Sequence, residues 1–247
     1  MLGLVQGVTE VAPVSSSAHL TLVPWLLGWP PAPDRTTFAA GLHAGSCLGI
    51  ALALARSPAG PPPPRVAGLA AATCVPAAVA GLLAADTVEA RLGRPEQLPV
   101  LLAGAGVLLA LADSRPEDRT LGGREAAYAA LAQVAALAPG VSRSGAALTA
   151  LRAAGVGRAE AERFSLLMSL PVTAGAALLT LARSDRVQLR ALAGPLAVGV
   201  PAAGLAGWAA ARRRQRRGDH RLAVVAAYRL GIAAVVFCTS RRRRSRP

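Results

Sequence analysis

The sequence predicts an all-α integral membrane protein, with six transmembrane helices plus two re-entrant helical hairpins arranged as two inverted-topology repeats. Three observations predict it. First, six long apolar runs recur: Phe38 to Ala55, Val66 to Ala85, Leu98 to Ala112, Phe164 to Ala182, Ala191 to Ala211 and Leu222 to Cys238. A spanning helix needs roughly 20 apolar residues. The chain is 53% hydrophobic, and a soluble bundle would show polar faces at helical spacing instead. Second, the chain resembles itself. "APVSSSA" from Ala12 returns as "APGVSRSGA" from Ala138, and "FAAGLHAGSCLGIALALARS" from Phe38 as "FSLLMSLPVTAGAALLTLARS" from Phe164. Pro13 and Pro139, Phe38 and Phe164, and Gly49 and Gly175 share one spacing. Third, each half opens with a Pro/Ser-rich segment and continues with three apolar runs.

An odd number of spans per half turns the second half upside down in the membrane, and such repeats place their site where the halves meet. Residues 1–247 read as one membrane domain: a first repeat over 1–112, a second over 126–240 and a basic tail over 241–247. The halves divide in the polar loop Asp113 to Glu125. Pro13 and Pro139-Gly140 interrupt apolar sequence, and Ser15, Ser16, Ser142 and Ser144 suit the caps of the helices that follow. Leu2 to Trp25 and Ala126 to Ala154 are therefore the two expected hairpins. Non-helical backbone at membrane depth is tolerated only against protein or a water-filled cavity.

Net charge is +14, and every basic residue is arginine. "RRRQRR" (Arg212 to Arg217) and "RRRR" (Arg241 to Arg244) lie beside apolar runs, so anionic lipid headgroups are their expected partners and nucleic acid is not. Loops on one face (Arg56 to Arg65, Asp113 to Glu125, Gly157 to Arg163, Arg212 to Arg221) hold 13 arginines against 6 in the loops of the other. That richer face is expected in the cytoplasm, although the C-terminal tail adds five arginines to the opposite side. Met1 to Val14 carries Gln6 and Glu10 and lacks a basic start, so no cleavable signal is expected there. Cys47, Cys74 and Cys238 fit no metal-ligand spacing and read as small packing residues.

A carboxylate in an apolar segment marks a function, and Glu10 is the first such group. Gln6 lies one helical turn earlier on the same face, so the two could hold Mg²⁺ or Ca²⁺ through oxygen ligands. Ser15, Ser16 and Ser17 form a hydroxyl-rich loop at a helix N-terminus, suited to a phosphate; one hydroxyl could be a nucleophile beside a base. His19 is the candidate base. Arg143, flanked by Ser142 and Ser144, has the planar fork that binds phosphate bidentately, and an arginine in a re-entrant loop needs an anion. Together a carboxylate, a cation, hydroxyls, an imidazole and a guanidinium suit phosphoryl transfer. His43, Ser46, Ser165 and Ser169 either line the cavity or bond helix to helix. Arg229, inside the last apolar run, needs a partner such as Glu10 or a substrate phosphate.

"QGVTEVAPVSSSAHL" and "PGVSRSG" resemble the undecaprenyl-diphosphatase family of bacterial inner-membrane proteins, also called bacitracin-resistance proteins. The likeness continues through "FSLLMSLPVTAGA" and "YRLGIAAVV" and covers nearly the whole chain. It implies removal of the terminal phosphate of undecaprenyl diphosphate, giving the lipid carrier of cell-wall synthesis, with a divalent cation and a site open to the outer face. By resemblance Gln6 and Glu10 fall on the acidic motif, Ser15, Ser16 and His19 on the first loop, and Ser142, Arg143 and Ser144 on the second. Gln6 stands where many members have Glu, Ser17-Ala18 where Thr-Gly is frequent, and Ala147 where a Thr is usual. The expected partners are a polyprenyl diphosphate and membrane lipids, with self-association as a homodimer left open. The rival is a polyprenyl-phosphate flippase or transporter, since inverted repeats with broken helices also build carriers. A carrier of an anionic lipid needs the arginine but not the base.

Overall fold

The computed structural model describes residues 1–30, 34–217 and 222–244. The tail beyond residue 244 and part of the 212–221 loop lie outside the described residues. Among those described, eleven α-helices and one 3₁₀ turn form the chain, with no strand. In order they are α1 (Leu2–Val11), α2 (Ser16–Leu27), α3 (Arg35–Ala55), α4 (Pro64–Ala72), α5 (Cys74–Leu92), α6 (Leu98–Asp113), α7 (Gly123–Ala132), the turn Gln133–Leu137, α8 (Arg143–Ala153), α9 (Arg158–Arg183), α10 (Arg186–Arg217) and α11 (Leu222–Arg244).

Five stretches are long and apolar enough to cross a membrane: Arg35–Ala55, Pro64–Ala85, Arg158–Arg183, Arg186–Arg216 and Leu222–Arg243. The remaining apolar run, Leu98 to Ala112, becomes α6, at 16 residues. At 1.5 Å per residue that helix is roughly 24 Å long, shorter than a hydrocarbon core of about 30 Å. Large apolar side chains face outward along several of these helices, among them Leu48, Val75, Leu83, Val198, Val224 and Phe237. A water-soluble monomer does not carry so much contiguous apolar surface; a multi-pass membrane protein requires it.

Helices in lipid gain little from mutual burial of apolar area, so close backbone approach does the packing. Here α10 lies against both α1 and α3 through glycine. A Cβ on Gly3 would strike the Gly199 carbonyl, on Gly7 the Ala203 carbonyl, on Gly45 the Val200 carbonyl and on Gly49 the Gly204 carbonyl. The end of α1 is then fastened by Arg214, which donates to both Glu162 carboxylate oxygens (2.9 and 2.8 Å) and to the Val11 carbonyl (3.0 Å). Between the end of α8 and the start of α9 a second clasp forms. Fully buried Arg152 donates to the Asp113 carboxylate and to the carbonyls of Asp113, Arg115 and Val156, tying the 113–117 loop down.

Candidate active site

Gln6 and Glu10 share the face of α1 next to the glycine face, one helical turn apart, and both are buried. Five contacts converge on the Glu10 carboxylate, from helices spread over the chain. Arg143 Nη2, at the start of α8, donates to Oε1 at 2.7 Å, and Thr173 Oγ1 of α9 donates to the same oxygen at 3.3 Å. Ser16 Oγ, at the start of α2, donates to Oε2 at 2.7 Å, and Gln6 Nε2 donates to it at 3.0 Å. His43 Nδ1 of α3 lies 3.2 Å from Oε2. The expected juxtaposition of Glu10 and Arg143, 133 residues apart in sequence, is thus a direct ion pair.

The two turns that deliver Ser16 and Arg143 share one geometry. Ser15 caps α2 at φ 72, and its hydroxyl accepts from the Ala18 amide at 3.4 Å. Ser142 caps α8 at φ 71, accepting from the Gly145 amide at 3.2 Å. These are the only non-glycine residues with positive φ among those described. Such backbone costs about 1–3 kcal/mol and persists where surroundings over-determine it, often at functional sites. Ser15 Oγ lies 3.2 Å from Ser17 Oγ, and Ser142 Oγ 3.3 Å from Ser144 Oγ. All four serines therefore stand beside the amide-rich first turns of two helices, where an anion is stabilised.

Arg229 holds the turns in place. It is completely buried, and its partners are neither Glu10 nor a free surface. Nη1 donates to the Pro13 carbonyl (2.9 Å), Nη2 to those of Gly140 (2.6 Å) and Val141 (2.9 Å), and Nε to that of Leu102 (3.2 Å). One guanidinium thereby bridges both turns and α6. Hydropathy alone did not reveal this, because the partners are backbone carbonyls.

His19 is placed apart from the carboxylate cluster. Its Nδ1 donates to the Ser15 carbonyl at 2.7 Å, its Nε2 meets the Tyr228 hydroxyl at 2.8 Å, and the two rings stack with centroids 5.7 Å apart. Both ring nitrogens are engaged within the protein. Sequence reasoning left His43 between two roles and did not single out Thr173 or Tyr228. Their one signal was helical spacing: His43 and Ser46 share a face of α3, and the Ser46 hydroxyl lies 3.5 Å from Gln6 Nε2.

The site opens into a cavity of about 1160 Å³. Glu10, Ser16, His43, Arg143 and Thr173 form its polar end, while Leu20, Trp25, Phe38, Val172 and Leu192 line much of the remainder, with Thr21, Arg35 and Glu89 among them. Two buried polar atoms in the cluster lack any partner, Gln6 Oε1 and Arg143 Nη1. One is an acceptor and the other a cationic donor. No group of three His, Cys, Asp or Glu side chains gathers among the described residues. The orphaned Gln6 oxygen beside a carboxylate nevertheless fits an oxygen-seeking divalent cation, and the orphaned guanidinium nitrogen fits an anion.

A polytopic helical membrane protein with a buried carboxylate–guanidinium pair at the polar end of an apolar cavity is the class that fold and site define. The family model described as bacitracin resistance protein BacA matches residues 1–235, and the chain belongs to that family. A Geobacter metallireducens protein named undecaprenyl-diphosphatase is 43% identical over 200 residues, which is 72% of this chain and 73% of that protein. A second, from Geobacter sulfurreducens and with the same name, is 40% identical over 75% of this chain and 76% of its own. A third so named, from Gemmatimonas aurantiaca, is 36% identical over 97% of this chain and 96% of its own length.

Proposed function

We propose that the protein hydrolyses undecaprenyl diphosphate to undecaprenyl phosphate, recycling the lipid carrier for cell-wall polymers. The carrying observation is the contact of Ser16 and Arg143 with opposite oxygens of one carboxylate, 2.7 Å each, at the polar end of an apolar cavity. The prenyl chain occupies the apolar part and the diphosphate the polar end. Arg143, whose Nη1 is already unpartnered, binds the terminal phosphate as a fork and stabilises charge on its non-bridging oxygens.

Ser16 is the nucleophile in this reading. Its hydroxyl already donates to Glu10, which takes the proton as the Ser16 oxygen attacks the terminal phosphorus. The bridging P–O bond breaks, undecaprenyl phosphate leaves, and water then releases phosphate from Ser16. Ser15, Ser17, Ser142 and Ser144 add hydroxyls around the anion. His19 acts as a positioning residue, since its Nδ1 holds the carbonyl of the strained Ser15. A divalent cation, Mg²⁺ or Ca²⁺, would be held by Glu10 and Gln6 and would neutralise phosphate charge.

The finer architecture belongs to the same proposal. The matched caps at Ser15 and Ser142 support two re-entrant hairpins, from inverted repeats over 1–112 and 126–240, with α6 as a short sixth span. The arginine-rich loops support a bacterial inner-membrane orientation in which the cavity faces outward.

The test is phosphate release from a polyprenyl diphosphate by detergent-purified protein, with cation or chelator present. Release above background that Arg143→Ala abolishes is expected. Bound lipid without phosphate release would favour the flippase or transporter instead.

A further inference from the structure

His43 approaches the same Glu10 oxygen as Ser16, and nothing in the phosphoryl-transfer scheme uses it. Its Nδ1 is 2.7 Å from Gln6 Nε2 and 3.2 Å from Glu10 Oε2, while Gln6 Nε2 is 3.0 Å from that same oxygen. Three polar atoms on three residues therefore form a tight triangle. With Gln6 Nε2 donating to both neighbours, the Nδ1 atom of His43 presents a lone pair toward the Gln6–Glu10 pair. The partnerless buried Gln6 Oε1 lies at the other end of the same carboxamide.

Rotation about its last bond exchanges the two ends of a carboxamide. Once Gln6 is turned over, an amide oxygen, an imidazole lone pair and a carboxylate oxygen converge with no proton between them. A divalent cation can take the place of the proton that would otherwise make His43 and Glu10 an ion pair.

We propose that Gln6, Glu10 and His43 form a three-donor cation site, and that it ranks a borderline first-row cation such as Co²⁺ above Ca²⁺. This rests on the cation-assisted reading of the site and adds a ligand and a selectivity to it. Ca²⁺ and Mg²⁺ take oxygen ligands and gain chiefly from carboxylate charge. Here only one carboxylate is available, and Arg143 already sits on its other oxygen. An imidazole nitrogen suits the later first-row cations and compensates for that shortage of charge.

The experiment uses the full chain, purified in detergent and stripped with chelator, without substrate. Binding of Co²⁺ and Ca²⁺ is measured by equilibrium dialysis, and pulsed electron paramagnetic resonance is recorded on the Mn²⁺-loaded protein. One Co²⁺ per chain is expected, displaced by Ca²⁺ only at much higher concentration. His43→Gln should weaken Co²⁺ binding by at least about tenfold, a cost that even an outer-shell partner carries, and leave Ca²⁺ binding unchanged. The Mn²⁺ spectrum should show nitrogen modulation from a directly bound imidazole, lost in His43→Gln and His43→Ala and kept in His19→Ala. Wild-type protein with isotopically labelled histidine gives the same assignment without relying on a variant that folds. Absence of nitrogen modulation in the wild type, its persistence in both His43 variants, or Ca²⁺ binding as tight as Co²⁺ would overturn the proposal. Phosphate release is assayed separately, so an intact Co²⁺ site without hydrolysis would sink the phosphatase reading and leave the cation site standing.

Discussion

The turn before α2 and the turn before α8 have matching backbones and different middle residues. Each is capped by a serine at positive φ that accepts an amide three residues on, and each carries a second serine two positions later. Between those serines stands Ser16 in one turn and Arg143 in the other, and each reaches a different oxygen of Glu10. One scaffold thus delivers a neutral hydroxyl and a fixed cation to the same carboxylate. The difference teaches that backbone geometry and chemical role are separable here: the caps set position, and the middle residue sets function.

The strongest way to break the comparison is to remove what holds both turns together. Arg229→Ala strands the loop carbonyls of Pro13, Gly140 and Val141, at about 1–3 kcal/mol for each buried group left unsatisfied. Thermal unfolding in detergent should show a loss of at least about 3 kcal/mol; a midpoint close to wild type would mean that the turns stand alone. Next comes the middle residue. Arg143→Ala should lower the rate of phosphate release by about 10²–10³, the usual cost of one charge-stabilising donor, with helicity unchanged. Arg143→Lys should recover only part of that, because an ammonium cannot reproduce the planar fork. On the other turn, rapid-quench labelling should trap a serine phosphoester in the wild type and none in Ser16→Ala; retained labelling would move the nucleophile elsewhere.

Smaller effects sharpen the same contrast. Ser15→Ala and Ser142→Ala each lose a cap worth about 1 kcal/mol while keeping the strained φ. Glycine at either position loses the cap but relieves the strain, so it should be the milder change in a stability measurement. A reversed order would show that strain is absent. Asp34 is the unstrained reference, capping α3 from extended backbone at φ −132. The Thr37 hydroxyl and amide hold its carboxyl below the usual carboxylate range. Its folded pKa being the lower one, its contribution is present above the ordinary carboxylate value and fades as pH falls through the depressed one. Asp34→Asn should flatten that acid limb slightly and leave catalysis at neutral pH unaltered.

Much of this was legible because polar residues are rare in the chain and each needed a reason. Glu10, Ser16 and Arg143 stood out against apolar sequence, and their meeting point followed from the internal likeness of the halves. The length of α6 was already written in its run, Leu98 to Ala112, but the break of the 66–85 run at Thr73 was hidden, since an apolar run records composition and not where hydrogen bonding stops. His19 pointed to the right turn, but its Tyr228 partner, 209 residues away, could not be read from spacing. Arg229 was visible as an anomaly; that it serves backbone oxygens depends on loop carbonyls, which carry no sequence signature.

The ion pair between Arg143 and Glu10 also makes that pair self-neutral. With the guanidinium charge matched by the Glu10 carboxylate through Nη2, the protein keeps no uncompensated charge on this pair, while Nη1 stays free for a ligand. A headgroup must compete with that carboxylate to enter, and a doubly phosphorylated one competes better than a singly phosphorylated one. On the proposed mechanism the lipid product leaves first and phosphate last, so it is release of phosphate from Ser16 that returns the arginine to Glu10 and resets the same contact as a threshold for the next headgroup.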